Sequence, residues 1–253
     1  MAVKRSQSAG RVLAVVEAVS RAQPIGVSAL ARMLGADKSA IQRDLMTLAD
    51  AGWIRPAPNE ARAWELSPLI LSLARAPHSN ESRRQQVRPA LDRLRDPTGE
   101  PGYLTLPHQG RFVVIEAVES ASQLRVVQRV GITVPVAGSA SARVYLAALP
   151  PPDRAAFLGE EPDAELAAGI EAARLAGYAV NDGRIVPGTV TFAAALLDAR
   201  ACPVGTIVVT GPAERLAPEG WSAVAGHLCA TAREAARSLT GGGGFDAPGM
   251  VAG

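Results

Sequence analysis

Four polar residues on one side of a predicted helix carry side chains suited to hydrogen bonding with nucleic-acid bases. Within residues 38–51, Ser39, Gln42, Arg43 and Thr47 fall together when successive residues turn by about 100°. Arginine can bind guanine through two hydrogen bonds, glutamine can bind adenine, and serine or threonine can bind phosphate. A solvated helix face would show the same polarity, so the neighbouring elements have to decide between the two interpretations.

Apolar residues predict the elements that hold this helix. On its other side Ile41, Leu45 and Leu48 lie in step, so that side should pack on neighbouring helices. Two helices are predicted before it: one over residues 11–21, with valines at helical spacing, and one after Ser28, a candidate N-cap.

A tight turn joins the second and third predicted helices. Gly35 suits the left-handed conformation after one helix, and Asp37 can cap the next. This order predicts a helix-turn-helix, which favours contact with double-stranded DNA over a solvated face. Two predicted strands, 53–55 and 62–66, then form a β-wing, with Arg55 and Arg62 expected beside the minor groove or its phosphates.

The charge distribution agrees with DNA binding by the first part of the chain. Residues 1–75 contain ten Lys or Arg and six Asp or Glu, a net +4, whereas the remainder contains sixteen and eighteen, a net −2. Such a basic excess is expected where a protein meets phosphates. Since there are only two lysines, the cationic contacts fall mainly to arginine.

The same sequence excludes several classes of protein. No uncharged apolar run is long enough to span a membrane, and the N-terminus lacks a signal-peptide core, so we expect a cytoplasmic protein. The two cysteines form no CxxC pair and the three histidines are scattered, so neither a disulfide nor a metal site is expected. No nucleophile–base or phosphate-loop motif appears, which predicts no catalysis and no cofactor.

The second part of the chain mixes strands and helices without strict alternation, which predicts an α+β fold. The predicted strands cover residues 102–106, 112–118, 124–130, 178–181, 190–197 and 204–210. The predicted helices cover residues 83–95, 141–149, 153–158, 163–176 and 219–239. We therefore expect a winged helix-turn-helix domain at 1–76, a linker and first helix at 77–100, an antiparallel-sheet domain at 101–240 and a disordered tail at 241–253.

The chain resembles the IclR-type bacterial transcriptional regulators over about residues 8–239. The resemblance lies in VLAVVEAV after Arg11, SALARMLGADKSAIQRDLMTLADAGWI from Ser28, GITVPVAGSASARVYLA from Gly131, PGTVTFAAALLD from Pro187 and VGTIVVTGP from Val204. It implies a winged helix joined by a linker helix to a GAF-like effector domain. It also implies a homodimer or homotetramer that binds operator DNA and a small metabolite, often an organic or aromatic acid, without catalysis.

Two sets of binding residues are expected, the first from the helix-turn-helix and its wing and the second from the resemblance. The residues expected to contact DNA are Ser28, Lys38, Ser39, Ala40, Gln42, Arg43, Thr47, Arg55 and Arg62. The residues expected to line the effector pocket are Val126, Val134, Ala140, Ser141, Asn181, Thr189, Thr191, Val208 and Thr210. The backbone amides of Ala140 and Ser141, at a helix N-terminus, suit an anion.

The chain departs from the family pattern within both sets. Ala40 replaces a usual threonine in the recognition helix, and Val208 replaces a hydroxyl in the pocket. The second change argues against glyoxylate as the effector, and leaves open a larger, partly apolar effector or no effector.

A different class of function is a small-molecule or redox module whose winged helix binds protein. The polar face of the third helix suits DNA better than an apolar partner.

Overall fold

The computed structural model of the protein describes residues 6–74, 79–122 and 126–240. The chain divides into two compact units between residues 78 and 79. None of the helices within these described ranges is both long and apolar enough to cross a bilayer. The predicted disordered tail, residues 241–253, lies outside the described residues.

The first unit is a three-helix bundle with a small antiparallel sheet in the strand order β1-β3-β2. Its elements are α1 Gln7–Ala22, β1 Ile25–Gly26, α2 Val27–Leu34, α3 Lys38–Asp50, β2 Ile54–Pro56, β3 Ala63–Leu66 and α4 Leu69–Ala74. Val15, Leu30, Ile41 and Leu45 are fully buried between the helices. The apolar spacing in the sequence therefore brings the three helices around one core.

The turn between α2 and α3 forms as its residues predict, although the capping differs. Gly35 ends α2 with φ 59°, a left-handed conformation that glycine adopts without the steric cost of a side chain. The prediction that Ser28 caps α2 is wrong, because Gly26 is the N-cap and Ser28 lies in the first turn. Asp37 is the N-cap of α3 by its backbone, but its side chain makes no capping hydrogen bond.

The second unit is a six-stranded antiparallel sheet in the order β6-β5-β4-β9-β8-β7 with helices on both faces. Its strands are β4 Gly102–His108, β5 Arg111–Val118, β6 Thr133–Val134, β7 Ala179–Asp182, β8 Thr189–Leu197 and β9 Pro203–Pro212. Its helices are α5 Ser79–Thr98, α6 Ala140–Ala148, α7 Pro151–Leu158, α8 Ala164–Ala176 and α9 Trp221–Thr240, with a 3-10 turn at Pro218–Gly220.

Each face of the sheet has its own apolar core. Leu91 of α5 and Leu228 of α9 pack on one face with Phe192 and Ile207. On the other face α6 packs on the sheet through residues such as Val144. Since β9 lies between β4 and β8 and is covered on both faces, all ten of its residues are buried. That explains why the β9 sequence is almost uniformly apolar instead of alternating.

Two predicted features of the second unit differ from the structure. Residues 126–130 of the predicted strand 124–130 are not a strand, while 123–125 lie outside the described residues. The edge of β5 is instead paired with β6, through Phe112 with Val134 and Val113 with Thr133. The predicted linker 77–82 is helical from Ser79 onward, because α5 begins there, and 77–78 lie outside the described residues.

Candidate DNA-binding surface and effector pocket

The predicted DNA-facing side of α3 is exposed along its length. Ser39, Gln42, Arg43 and Thr47 are all exposed, as is Lys38 at the start of the helix. Ala40 is half-buried. The Thr47 hydroxyl donates to the carbonyl oxygen of Arg43 at 3.0 Å, so in this structure it is used within its own helix. The structure therefore places these predicted residues together on one exposed side of α3, which they share with the exposed Met46.

An ion pair fixes α3 against α1, and sequence reasoning missed it. Asp44 is 5% exposed, and its carboxylate accepts from Arg11 Nε at 2.6 Å and from Arg11 Nη2 at 3.3 Å. This hydrogen bonding raises the pKa of Arg11. A signal was present, because Asp44 falls among Ile41, Leu45 and Leu48 on the apolar side of the helix, where a carboxylate needs a partner.

The remaining predicted DNA contacts flank α3. Arg55, on β2, is exposed and pairs with Glu65 on β3 at 2.7 Å. Arg62 is exposed on the wing turn with φ 65°. Ser28 is exposed in the first turn of α2. An exposed ion pair such as that of Arg55 contributes little to stability, so its arginine can be redirected to a phosphate at small cost.

Three of the predicted effector residues form one row across three neighbouring strands. Asn181, Thr191 and Thr210 are adjacent in register on β7, β8 and β9. We call these three residues the polar row. The hydroxyls of Thr191 and Thr210 are 2.7 Å apart.

The polar row is tied to the loop before α6 through its asparagine. The Asn181 amide donates to the carbonyl oxygen of Gly138 at 2.8 Å and accepts from the Arg184 backbone amide at 2.9 Å. Asn181 and Thr210 are buried, while Thr191 is half-buried. The row is thus a set of hydrogen-bonding groups under a loop, and in this structure those groups are satisfied by protein.

Three other predicted effector residues contribute apolar surface on the same face of the sheet. Ala140 and Val208 are buried in one cluster with Tyr103, and half-buried Val134 packs against that cluster. Ser141 adds a further hydroxyl group on this face. The Thr206 hydroxyl donates to the Ser141 hydroxyl oxygen at 3.1 Å and lies 2.7 Å from the Thr105 hydroxyl.

The last two predicted residues stand apart from the row. Thr189 donates to the carbonyl oxygen of Val186 at 2.7 Å, at the very start of β8. Val126 lines a small cavity of ≈ 270 Å³ together with Tyr103. The buried Tyr103 hydroxyl donates to the Val126 carbonyl oxygen at 2.7 Å and accepts from the Gln128 amide at 3.2 Å. Sequence reasoning missed Tyr103, although a tyrosine in an apolar strand signals a hydroxyl that needs a partner.

Comparison with known proteins agrees with this arrangement. Residues 8–58 match the family model of the IclR helix-turn-helix domain, and residues 79–237 match that of the bacterial transcriptional regulator IclR C-terminal domain. The chain is 28% identical over 225 residues to the glycerol operon regulatory protein of Streptomyces griseus, which covers 85% of this chain and 87% of that protein.

Solved structures show the same fold. A putative IclR transcriptional regulator from Silicibacter sp. TM1040 superimposes with a TM-score of 0.79 at 22% identity, covering 94% of this chain and 98% of that one. An IclR homologue from Microbacterium hydrocarbonoxydans, complexed with 4-hydroxybenzoate, gives a TM-score of 0.75 at 18% identity, covering 92% and 99%. The chain belongs to the IclR family of bacterial transcriptional regulators, with a DNA-binding helix-turn-helix unit and an effector-binding C-terminal domain.

Proposed function

We propose that this protein binds a specific operator through α3 and that a small organic or aromatic acid controls this binding. The observation that carries the proposal is the division of α3 into two sides. Ile41, Leu45 and Leu48 are buried, whereas Ser39, Gln42 and Arg43 are exposed. Such a helix can enter the major groove while its apolar side stays packed on α1 and α2.

We expect Arg43 to make the base contact that distinguishes the operator from other DNA sequences. It is exposed near the middle of the polar face, and a bidentate contact with guanine discriminates by about 1–3 kcal/mol. Arg43→Ala should therefore weaken operator binding by about tenfold or more, and relax the preference for one base pair. Fluorescence anisotropy with DNA from upstream of the protein's own gene measures both effects.

Arg21→Ala provides a matched control, because it removes the same charge from an exposed ion pair on α1. Equal operator affinity for Arg43→Ala and the unchanged protein would exclude Arg43 as a base contact. Failure of the unchanged protein to bind this DNA at low salt would instead favour a protein-binding role for the winged helix.

We further propose that the effector binds at the polar row. The row supplies two hydroxyls and an amide beside the apolar surface of Val208 and Ala140, a combination that suits an acid with an apolar body. The same fold holds 4-hydroxybenzoate in the Microbacterium hydrocarbonoxydans homologue. A reporter gene placed behind the operator, measured with and without the protein and the effector, distinguishes a repressor from an activator.

A thermal-shift screen of organic acids tests the effector proposal. A ligand that binds only the folded protein raises the melting temperature. We expect at least one acid to do so, and the double variant Thr191→Val with Thr210→Val to lose that shift, because it removes both hydroxyls at nearly constant volume. If the double variant keeps the full shift, the acid binds elsewhere.

A homodimer is the simplest assembly for this function. Two copies would place their α3 helices in successive major grooves, about 34 Å apart, on a palindromic site. A tetramer would combine two such dimers. Sedimentation velocity of the protein with and without operator DNA distinguishes these assemblies, and a monomer bound to a single half-site would exclude both.

A further inference from the structure

A cleft of ≈ 890 Å³ lies outside the loop that covers the polar row. Gly138 and Arg184 line this outer cleft, and both are hydrogen-bonded to Asn181. Neither Asn181 nor the two threonines of the row line the outer cleft itself. The volume is within the range of small-molecule sites, so the chemistry of its wall indicates what it can hold.

Arg143 of α6 lies in the wall of the outer cleft and contacts α8 and β7. It is half-buried, and its Nη1 donates to the carbonyl oxygen of Val180 at 3.0 Å. Its side chain also passes over Gly169 of α8, where a Cβ atom would come within 2.9 Å of the arginine Cδ. A larger residue at 169 would require it to shift, so contacts with α8 and β7 position the guanidinium in the wall.

The Arg143 guanidinium has hydrogen-bonding capacity to spare. It carries five N–H groups, and the bond to Val180 uses one of them. Among the residues that the structure describes, no carboxylate lies within salt-bridge distance of Arg143. Burial, and secondly the charge of Arg184, lowers its pKa, and an anion beside the guanidinium would oppose both effects. A half-buried guanidinium with unused donors is suited to binding a carboxylate through two parallel hydrogen bonds.

The rim of the outer cleft carries the opposite charge. Of its four carboxylates, that of Asp163 caps α8 and that of Glu165 pairs with Arg184. Glu160 and Glu161 are exposed and, within the described part of the chain, have no ion-pair partner. These two residues would attract a cationic group and repel a second carboxylate of a ligand held at Arg143.

An apolar wall completes the outer cleft. Val136, Leu158 and Leu166 line it and form the outer edge of the cluster built around Phe112 and Tyr145. Those two aromatic rings are packed edge to face with centroids 5.4 Å apart, which gives the wall a rigid backing. A ligand body of a few methylene groups can cover this surface.

We infer that the outer cleft binds a small zwitterion, with its carboxylate on Arg143, its apolar body along Val136 and Leu158, and its ammonium group at Glu160 and Glu161. This second site is separate from the polar row, and it exists whether or not the effector binds at that row.

Three probes that each contain six carbon atoms test the inference: 6-aminohexanoate, hexanoate and adipate, which differ in the group at the end opposite one carboxylate. Ligand-observed NMR titration should rank their affinities in that order, since the far group changes from cationic to neutral to anionic. Arg143→Gln should weaken the binding of 6-aminohexanoate by about tenfold or more, because a charge-assisted contact is lost. The double variant Glu160→Gln with Glu161→Gln should remove most of the difference between the three probes.

Two control variants separate this site from the polar row and from net charge. Arg174→Gln removes a positive charge from α8 outside the cleft, and Thr191→Val with Thr210→Val alters the row, so both should keep 6-aminohexanoate binding. If Arg143→Gln proves unstable, Arg143→Lys, which keeps the charge but loses the paired donors, should still weaken binding. Absence of binding, an unchanged affinity in the Arg143 variants, adipate binding as tightly as 6-aminohexanoate, or loss of binding in the row variant would each overturn the inference.

Discussion

At the scale of single residues, α3 exposes Gln42 and Arg43 on one side and pairs Asp44 with Arg11 of α1 on the other. Helical spacing alone separates Gln42 and Arg43 from the buried Ile41 and Leu45, because one rotation per residue fixes the faces. The partner of Asp44 could not be predicted in this way. Arg11 lies 33 residues earlier, and only the packing of α1 on α3 brings the two side chains together.

The Arg11–Asp44 pair leads to a prediction about the stability of the DNA-binding unit. Arg11→Ala should lower the melting temperature more than Asp44→Ala does. The first change leaves a buried carboxylate without its partner, whereas Asp44→Ala leaves an arginine whose side chain is already 34% exposed and can be hydrated. Thermal unfolding followed by circular dichroism measures both. The exposed pair of Arg21 with Glu17 is the control, since its loss should change little, and equal effects at all three sites would contradict this account.

At the scale of elements, the sequence predicted most of the strands and helices because their apolar periods are long and unbroken. It failed at residues 126–130, where Val127 and Val130 are exposed although the run is rich in valine. Which segment pairs with the edge of β5 is a long-range question, and the two-residue strand β6 is too short to leave a periodic signal. The same limit applies to the polar row, since register across β7, β8 and β9 is not visible in any one segment.

The attachment of α5 to the sheet gives the prediction at this scale. Glu116 of β5 is 4% exposed and accepts from Arg84 Nε at 2.9 Å and from Arg88 Nη1 at 2.8 Å. Arg84→Ala with Arg88→Ala should lower the free energy of unfolding by about 1–3 kcal/mol, because a buried charge loses these partners. Urea denaturation measures the change.

A variant on β5 and a control on α5 complete the test. Glu116→Leu should lower the free energy of unfolding less than the double arginine variant does, because it removes the buried charge together with its bonds. Arg95→Ala breaks only pairs with the less buried Asp92 and Asp96, so it should have little effect. A double arginine variant as stable as Arg95→Ala would show that the Glu116 contacts do not hold α5.

At the scale of the whole molecule, the two parts of the chain differ in charge as well as in fold. The first 75 residues carry +4 and the remainder −2, so attraction to DNA phosphates is concentrated in the first part. Composition alone predicted this asymmetry, because net charge does not depend on which residues touch. It could not predict the outer cleft, whose wall combines residues from two hairpin connections, three helices and two loops.

The salt dependence of operator binding gives the prediction at this scale. The logarithm of the binding constant should fall linearly with the logarithm of salt concentration, because phosphate contacts release counterions. Lys38→Gln should reduce that slope by about 1 and weaken all sequences alike, whereas Arg43→Ala should also change the sequence preference. Anisotropy titrations at several salt concentrations measure the slopes. A flat series for the unchanged protein would contradict phosphate-dominated docking.

The hydrogen bonds within the polar row also bear on the concentration at which a metabolite would be sensed. Thr191 bonds to Thr210, and Asn181 bonds to Gly138, so an effector bound at the row, as proposed, would replace contacts made within the protein. Each replaced contact subtracts about 1 kcal/mol from the gain on binding, which corresponds to roughly a fivefold higher half-saturating concentration. Threonine-to-valine exchanges in such a row would let related regulators respond to the same compound at different cellular levels.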